Sequence, residues 1–103
     1  MIAMLTLTYP GHIIKQVTQA FMSPDMPKRP ESMQVLSSIS YYDDGGFHSV
    51  LMFDVPDAQV AEFIIVQSKR STFFATRAPG CSGCLQWGTT VEDGIKNLMP
   101  LMA

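Results

Sequence analysis

Cys81-Ser82-Gly83-Cys84 is the one stretch whose spacing carries chemistry of its own. A redox pair of this kind belongs at the start of a helix, where the dipole lowers the first thiol's pKa. Here Pro79-Gly80 precedes it and Leu85-Gln86-Trp87, a strand pattern, follows it, so the orientation is wrong for that chemistry. As a zinc knuckle the glycine helps, because two thiolates three residues apart chelate only if the backbone turns between them. A structural zinc site wants four ligands, and there is no second Cys-x-x-Cys. His12 and His48 could complete a set, or two copies of the chain could pool their pairs. The plainer alternative is two small apolar residues buried at a strand entrance, since free cysteine is among the most buried residue types.

The other candidates are imidazole and hydroxyl groups. His48 falls beside Tyr41 if the surrounding segments pair as a hairpin, and the two together form an acid–base pair able to act on an aromatic or carbonyl compound. On the wrong face of its strand, His48 is merely exposed near a hairpin end. His12 lies at the start of a helix, where the dipole favours the neutral ring. Ser38, Ser40 and Ser49 share one hairpin face with Leu51, Phe53 and Tyr42. Apolar residues with a few hydroxyl anchors suit a pocket wall, and equally a polar-spotted subunit interface. Tyr41, His48, Ser38, Ser40 and Trp87 are the candidate ligand-binding residues. Asp43-Asp44 reads as turn chemistry. Lys28-Arg29 and Lys69-Arg70 read as solvated surface, able at most to anchor an anion at a pocket mouth. The eight methionines are scattered and read as adaptable filler. No Ser-His-Asp spacing, nucleophile elbow or phosphate loop is present.

The elements that must position these groups are punctuated by Gly and Pro. Ile2 to Tyr9 alternates, with Ala3, Leu5 and Leu7 on one side and Met4, Thr6 and Thr8 on the other, which predicts a half-buried strand. After Pro10-Gly11, the spacing of Ile13, Ile14, Val17 and Phe21 predicts a helix that ends before Pro24. Pro24, Pro27 and Pro30 then enforce a surface connection. Ser32 to Tyr42 and Phe47 to Val55 flank Asp43-Asp44-Gly45-Gly46, and Asp-Gly between such runs predicts a hairpin with a primed turn at Asp44-Gly45. That pairing sets Tyr42 opposite Phe47 and Tyr41 opposite His48. One face carries Val35, Ser37, Ile39, Tyr41, His48, Val50 and Met52; the other carries Leu36, Ser38, Ser40, Tyr42, Phe47, Ser49, Leu51 and Phe53. Both faces are substantially apolar, so both need a cover.

Asp57 can cap a second helix with the stripe Val60, Phe63, Ile64 and Gln67, its far end blurred around Phe73-Phe74. Cys84 to Trp87 gives a fourth strand. Thr89 or Thr90 caps a last helix with the stripe Val91, Ile95, Leu98 and Met99. The order βαββαβ with a C-terminal helix predicts the α+β class: a ferredoxin-like sandwich with a four-stranded antiparallel sheet and helices on one face.

With 103 residues there is room for one domain, 1–103, and 47% apolar content supports a core. A net charge of −2 argues against nucleic acid as a partner. No run reaches the ~20 apolar residues of a membrane span, and no leader precedes the first strand, so the expectation is a cytoplasmic protein with no membrane partner. A mean hydropathy of +0.14 is apolar for so small a chain and points to an oligomer.

Taken together, the strand–helix pair Ile2 to Met22, the Asp43-Asp44-Gly45-Gly46 hairpin and the strand ending in Phe53-Asp54-Val55-Pro56-Asp57 resemble the ferredoxin-like folds of the dimeric α/β-barrel superfamily. The likeness is greatest to its small uncharacterised members, domains of unknown function with an Asp-Gly-Gly hairpin. The resemblance implies two sheets packed face to face around a cavity. The superfamily includes cofactor-free monooxygenases, lactone isomerases, haem enzymes and proteins with no known reaction, and no residue role carries over. The expectation is a homodimer that binds a small apolar or aromatic molecule without a cofactor, with or without catalysis. A zinc-binding or thiol-regulated interaction module built on Cys81 and Cys84 is the alternative, and a purely structural subunit a third.

Overall fold

A computed structural model describes residues 1–102, with the side chains of Leu98 and Met102 outside the described set. The order is β1 (Ile2–Tyr9), a 3-10 turn (Gly11–Ile13) running into α1 (Ile14–Met22), β2 (Gln34–Asp43), β3 (Gly46–Asp54), a second 3-10 turn (Asp57–Gln59) running into α2 (Val60–Arg77), β4 (Ser82–Gly88) and α3 (Val91–Met102). The four strands form one antiparallel sheet in the order β2-β3-β1-β4. This is the expected α+β, ferredoxin-like sandwich. The ambiguity at Phe73-Phe74 resolves as helix: α2 continues to Arg77.

The hairpin pairs as its sequence predicts, Tyr42 with Phe47 and Tyr41 with His48, but two local details differ. The primed turn does not form, because the positive φ falls on Gly46 (110°) and neither Asp44 nor Gly45 has one. Gly46 is needed twice over, since a Cβ there would stand 2.5 Å from the Tyr9 carbonyl oxygen. A bulge between Val35 and Ser37 inserts Leu36 as an extra residue. It brings Val35 opposite Phe53, onto the other face from the one strict alternation assigns.

Asp57 does not cap α2. It accepts a hydrogen bond from the Met1 amino group at 3.1 Å, and the following turn has no side-chain cap. Thr90 does cap α3, its hydroxyl accepting from the Asp93 N–H at 3.1 Å. Of the predicted α3 stripe, Val91, Ile95 and Met99 are exposed, and the side chain of Leu98 lies outside the described residues.

The helices α1 and α2 cover the sheet face that carries Ala3, Leu5, Ser49, Leu51 and Phe53. Their shared core is split in two. One cluster holds Ala3, Leu5, Met33, Phe53, Val55 and Phe63, with Leu85 and Trp87 against it. Phe53 (0% exposed) and Phe63 (1%) anchor it, each side chain worth roughly 1.5–3 kcal/mol of burial. The other gathers Ile13, Val17, Ala20, Met26, Phe74 and Ala78 toward the opposite end of α2.

Among the described residues no helix covers the opposite sheet face. It carries Met4, Thr6 and Thr8 of β1 beside Val50, Met52 and His48 of β3 and Gln86, Cys84 and Ser82 of β4. Strand β2 is exposed along its whole length. The principal extents are 52 × 33 × 17 Å and the radius of gyration is 15.7 Å, above the ~13 Å of a compact chain of about 100 residues. No described helix is long and apolar enough to cross a membrane.

Candidate functional site

The gap between the two core clusters is a cavity of about 340 Å³. Its existence follows from the inward stripe of α2. Phe63 enters one cluster and Phe74 the other, while the two buried positions between them are Gln67 and Arg70. Spacings of four, three and four put all four residues on one side of the helix. Two polar side chains therefore sit where an apolar stripe would have closed the core. Across from them the sheet offers small or short groups, Ser49 on β3 and Ser38 and Ser40 on β2, with Leu5, Leu7 and Leu51 forming an apolar floor.

Arg29 enters this space from the proline-punctuated segment before β2. Its Nη2 donates to Gln67 Oε1 at 2.6 Å, and its guanidinium lies 4.4 Å from the centroid of the Phe53 ring, within cation–π range. Arg70, 8% exposed, donates from Nη1 to the Pro27 carbonyl at 2.6 Å. The Nε groups of both arginines are buried without a hydrogen-bond acceptor. An unmet buried donor costs about 1–3 kcal/mol, and more on a charged group. Burial, and then the charge of Arg70, lower the Arg29 pKa to about 10; burial also lowers that of Arg70. At pH 7 Arg29 still carries its charge.

The readings of Lys28-Arg29 and Lys69-Arg70 as solvated pairs thus hold only for the lysines, which are exposed. The signal for Arg70 lay in continuing the α2 stripe one turn past Gln67. No periodicity marks Arg29, because its segment is irregular.

The structure divides the five candidate ligand residues. Ser38 and Ser40 border the cavity. Trp87 is on the same side of the sheet, but packs edge-on against Phe63 with ring centroids 5.5 Å apart, inside the first core cluster. Tyr41 and His48 lie on the other face, stacked at 4.6 Å.

There His48 Nε2 is 2.8 Å from Asp43 Oδ1 and its Nδ1 is 3.2 Å from the Thr8 hydroxyl. A carboxylate only accepts, so Nε2 carries a proton, and in the neutral ring Nδ1 accepts from Thr8. Asp43 also takes the Gly45 N–H at 2.8 Å, and these bonds hold its carboxyl below the usual value. Thr8, His48 and Tyr41 are direct cross-strand neighbours, so this chain ties the hairpin tip to β1.

The cysteines also divide. Cys81 packs against the second cluster, and burial pushes its thiol up, away from the thiolate that a ligand or nucleophile needs. Cys84 is exposed, against the expectation of a buried pair, because pairing with Thr6 places it on the uncovered face. Both thiols are free. Among the described residues no three His, Cys, Asp or Glu side chains gather into a group that could hold a metal ion.

No protein-family model matches this chain, and no curated protein matches it either. Among solved structures, the chain is similar to a formyltetrahydrofolate deformylase from Pseudomonas putida KT2440, at 22% identity over 85% of this chain and with a TM-score of 0.47. The match spans only 29% of the deformylase chain. It is also similar to a DUF3240 family protein from Shewanella baltica OS155, at 15% identity, covering 86% of this chain and 96% of the other with a TM-score of 0.32. Neither likeness carries a site onto this chain, whose cavity stands on its own geometry.

Proposed function

We propose that this protein binds a small molecule in the cavity between its sheet and its helices, and that it does so as a homodimer whose second copy covers the uncovered sheet face. The observation that carries the binding reading is the split core: two apolar clusters with a space of about 340 Å³ between them, bordered by Ser38, Ser40, Ser49 and Gln67. Small-molecule sites begin near this size, with mostly apolar walls and a few fixed polar anchors.

The homodimer reading, of the dimeric α/β-barrel kind, draws support from Ile39 (60% exposed) and Tyr41 on the uncovered face and from the extended shape of the single chain. Met4, Ile39, Val50 and Met52 on that face are costly to leave in water, and a second copy is their simplest cover.

N-Phenyl-1-naphthylamine, an uncharged dye that brightens on leaving water, tests the binding reading. Saturable binding to the native protein is expected, weakened at least tenfold by Ser49→Phe, which fills the space from the β3 side. Equal binding to the folded Ser49→Phe variant, or none to either protein, contradicts it.

A further inference from the structure

We propose that Arg29 and Arg70 form an oxyanion-binding site within the cavity, so that its ligand is a small organic anion: one carboxylate or phosphate head on an apolar body. This deepens the binding reading above and rests on it. The chain has nine acidic side chains against seven basic ones, yet among the described residues no carboxylate bridges either guanidinium. The ion pairs among the described residues are Met1 with Asp57, His48 with Asp43, and Arg77 with Asp25.

Buried arginine is ordinarily paired, since a desolvated charge needs a counter-charge and its donors need acceptors. Here, among the described residues, each guanidinium is held by neutral groups alone, Gln67 Oε1 and the Phe53 ring for Arg29 and the Pro27 carbonyl for Arg70. Those contacts fix two cations beside the same cavity and leave both Nε donors without an acceptor. Arg is the side chain whose planar fork matches an oxyanion in a bidentate way. A head group with several acceptor oxygens would supply the missing charge. Leu5, Val17, Leu51 and Phe74 line the rest of the space and call for an apolar body.

The experiment compares two dyes of nearly the same body, 8-anilinonaphthalene-1-sulfonate, which is anionic, and N-phenyl-1-naphthylamine, which is not. The native protein is expected to bind the anionic dye at least tenfold more tightly. Arg70→Met, and independently Arg29→Met, should remove that preference, so that each folded variant binds the two dyes within about twofold of one another. Competition by 2-naphthoate or 1-naphthyl phosphate supports the assignment and ranks the two heads. Equal competition by uncharged 2-naphthylmethanol overturns it. So does an anion preference that survives in both folded arginine variants, or neutral-dye binding without any anion preference. Binding of neither dye instead removes the cavity reading itself.

Discussion

At the scale of single residues, the chemistry that the sequence advertises and the chemistry that the fold assembles differ. Cys84, His48 and Tyr41 carry recognisable reactivity, and here they sit on the uncovered sheet face, while Cys81 packs against a core cluster. Arg29 and Arg70 look like ordinary surface cations in sequence because each follows an exposed lysine and the net charge is acidic. What buries Arg70 and half-buries Arg29 is tertiary: the proline-rich segment folds back over α2, and only then do Arg29 and Gln67 meet. Gly46 makes the same point for the backbone. Asp-Gly-Gly announces a hairpin, but which glycine takes the positive φ depends on the approach of the Tyr9 carbonyl from β1. Gly46→Ala is therefore expected to destabilise the fold by roughly 2 kcal/mol or more, from the strained φ and the 2.5 Å approach together. Gly45→Ala, at a negative φ, should cost much less. Chemical denaturation of the two variants decides between this assignment and the primed turn, which reverses their order.

At the scale of elements, periodicity made β1, the hairpin and both sheet-covering helices legible, since each buries one face against the others. It failed where burial does not follow a period. The bulge at Leu36 moves Val35 to the opposite face, and nothing in the alternating pattern marks the slip. The far end of α2 is blurred in sequence because the polar run Lys69-Arg70-Ser71-Thr72 precedes Phe73-Phe74, and in the fold Arg70 and Ser71 of that run, with Gln67 before it, border the cavity. The tie between elements also makes a pH prediction. Asp43 is held below its ordinary value of 3.8, chiefly by the His48 hydrogen bond and then by the Gly45 N–H. A carboxyl whose folded-state pKa is depressed stabilises the fold above its unfolded value, and loses that contribution as the pH falls through the folded one. The hairpin-to-β1 tie should thus be complete above about pH 4 and weaken below it. An NMR titration of the Asp43 carboxyl should show a midpoint below 3.8 that rises in His48→Phe; a midpoint indifferent to the substitution contradicts the tie.

At the scale of the whole molecule, the two faces of the sheet divide the work between them. One is covered in part by α1 and α2, with β2 left exposed beside the cavity, and the other carries Ile39, Val50 and Met52 with no cover among the described residues. The proposed homodimer predicts that Ile39→Lys, at a site 60% exposed in the single chain, leaves the fold intact but shifts the sedimentation mass from twice 11.4 kDa to 11.4 kDa. A monomeric native protein at every concentration would contradict it. On the proposed reading, a ligand enters between the core clusters and not against the uncovered face. Intermolecular NOEs from bound N-phenyl-1-naphthylamine read this directly. Contacts to the methyl groups of Leu5, Val17 and Leu51 are expected. Contacts to Met4, Val50 and Met52 in their place would contradict it.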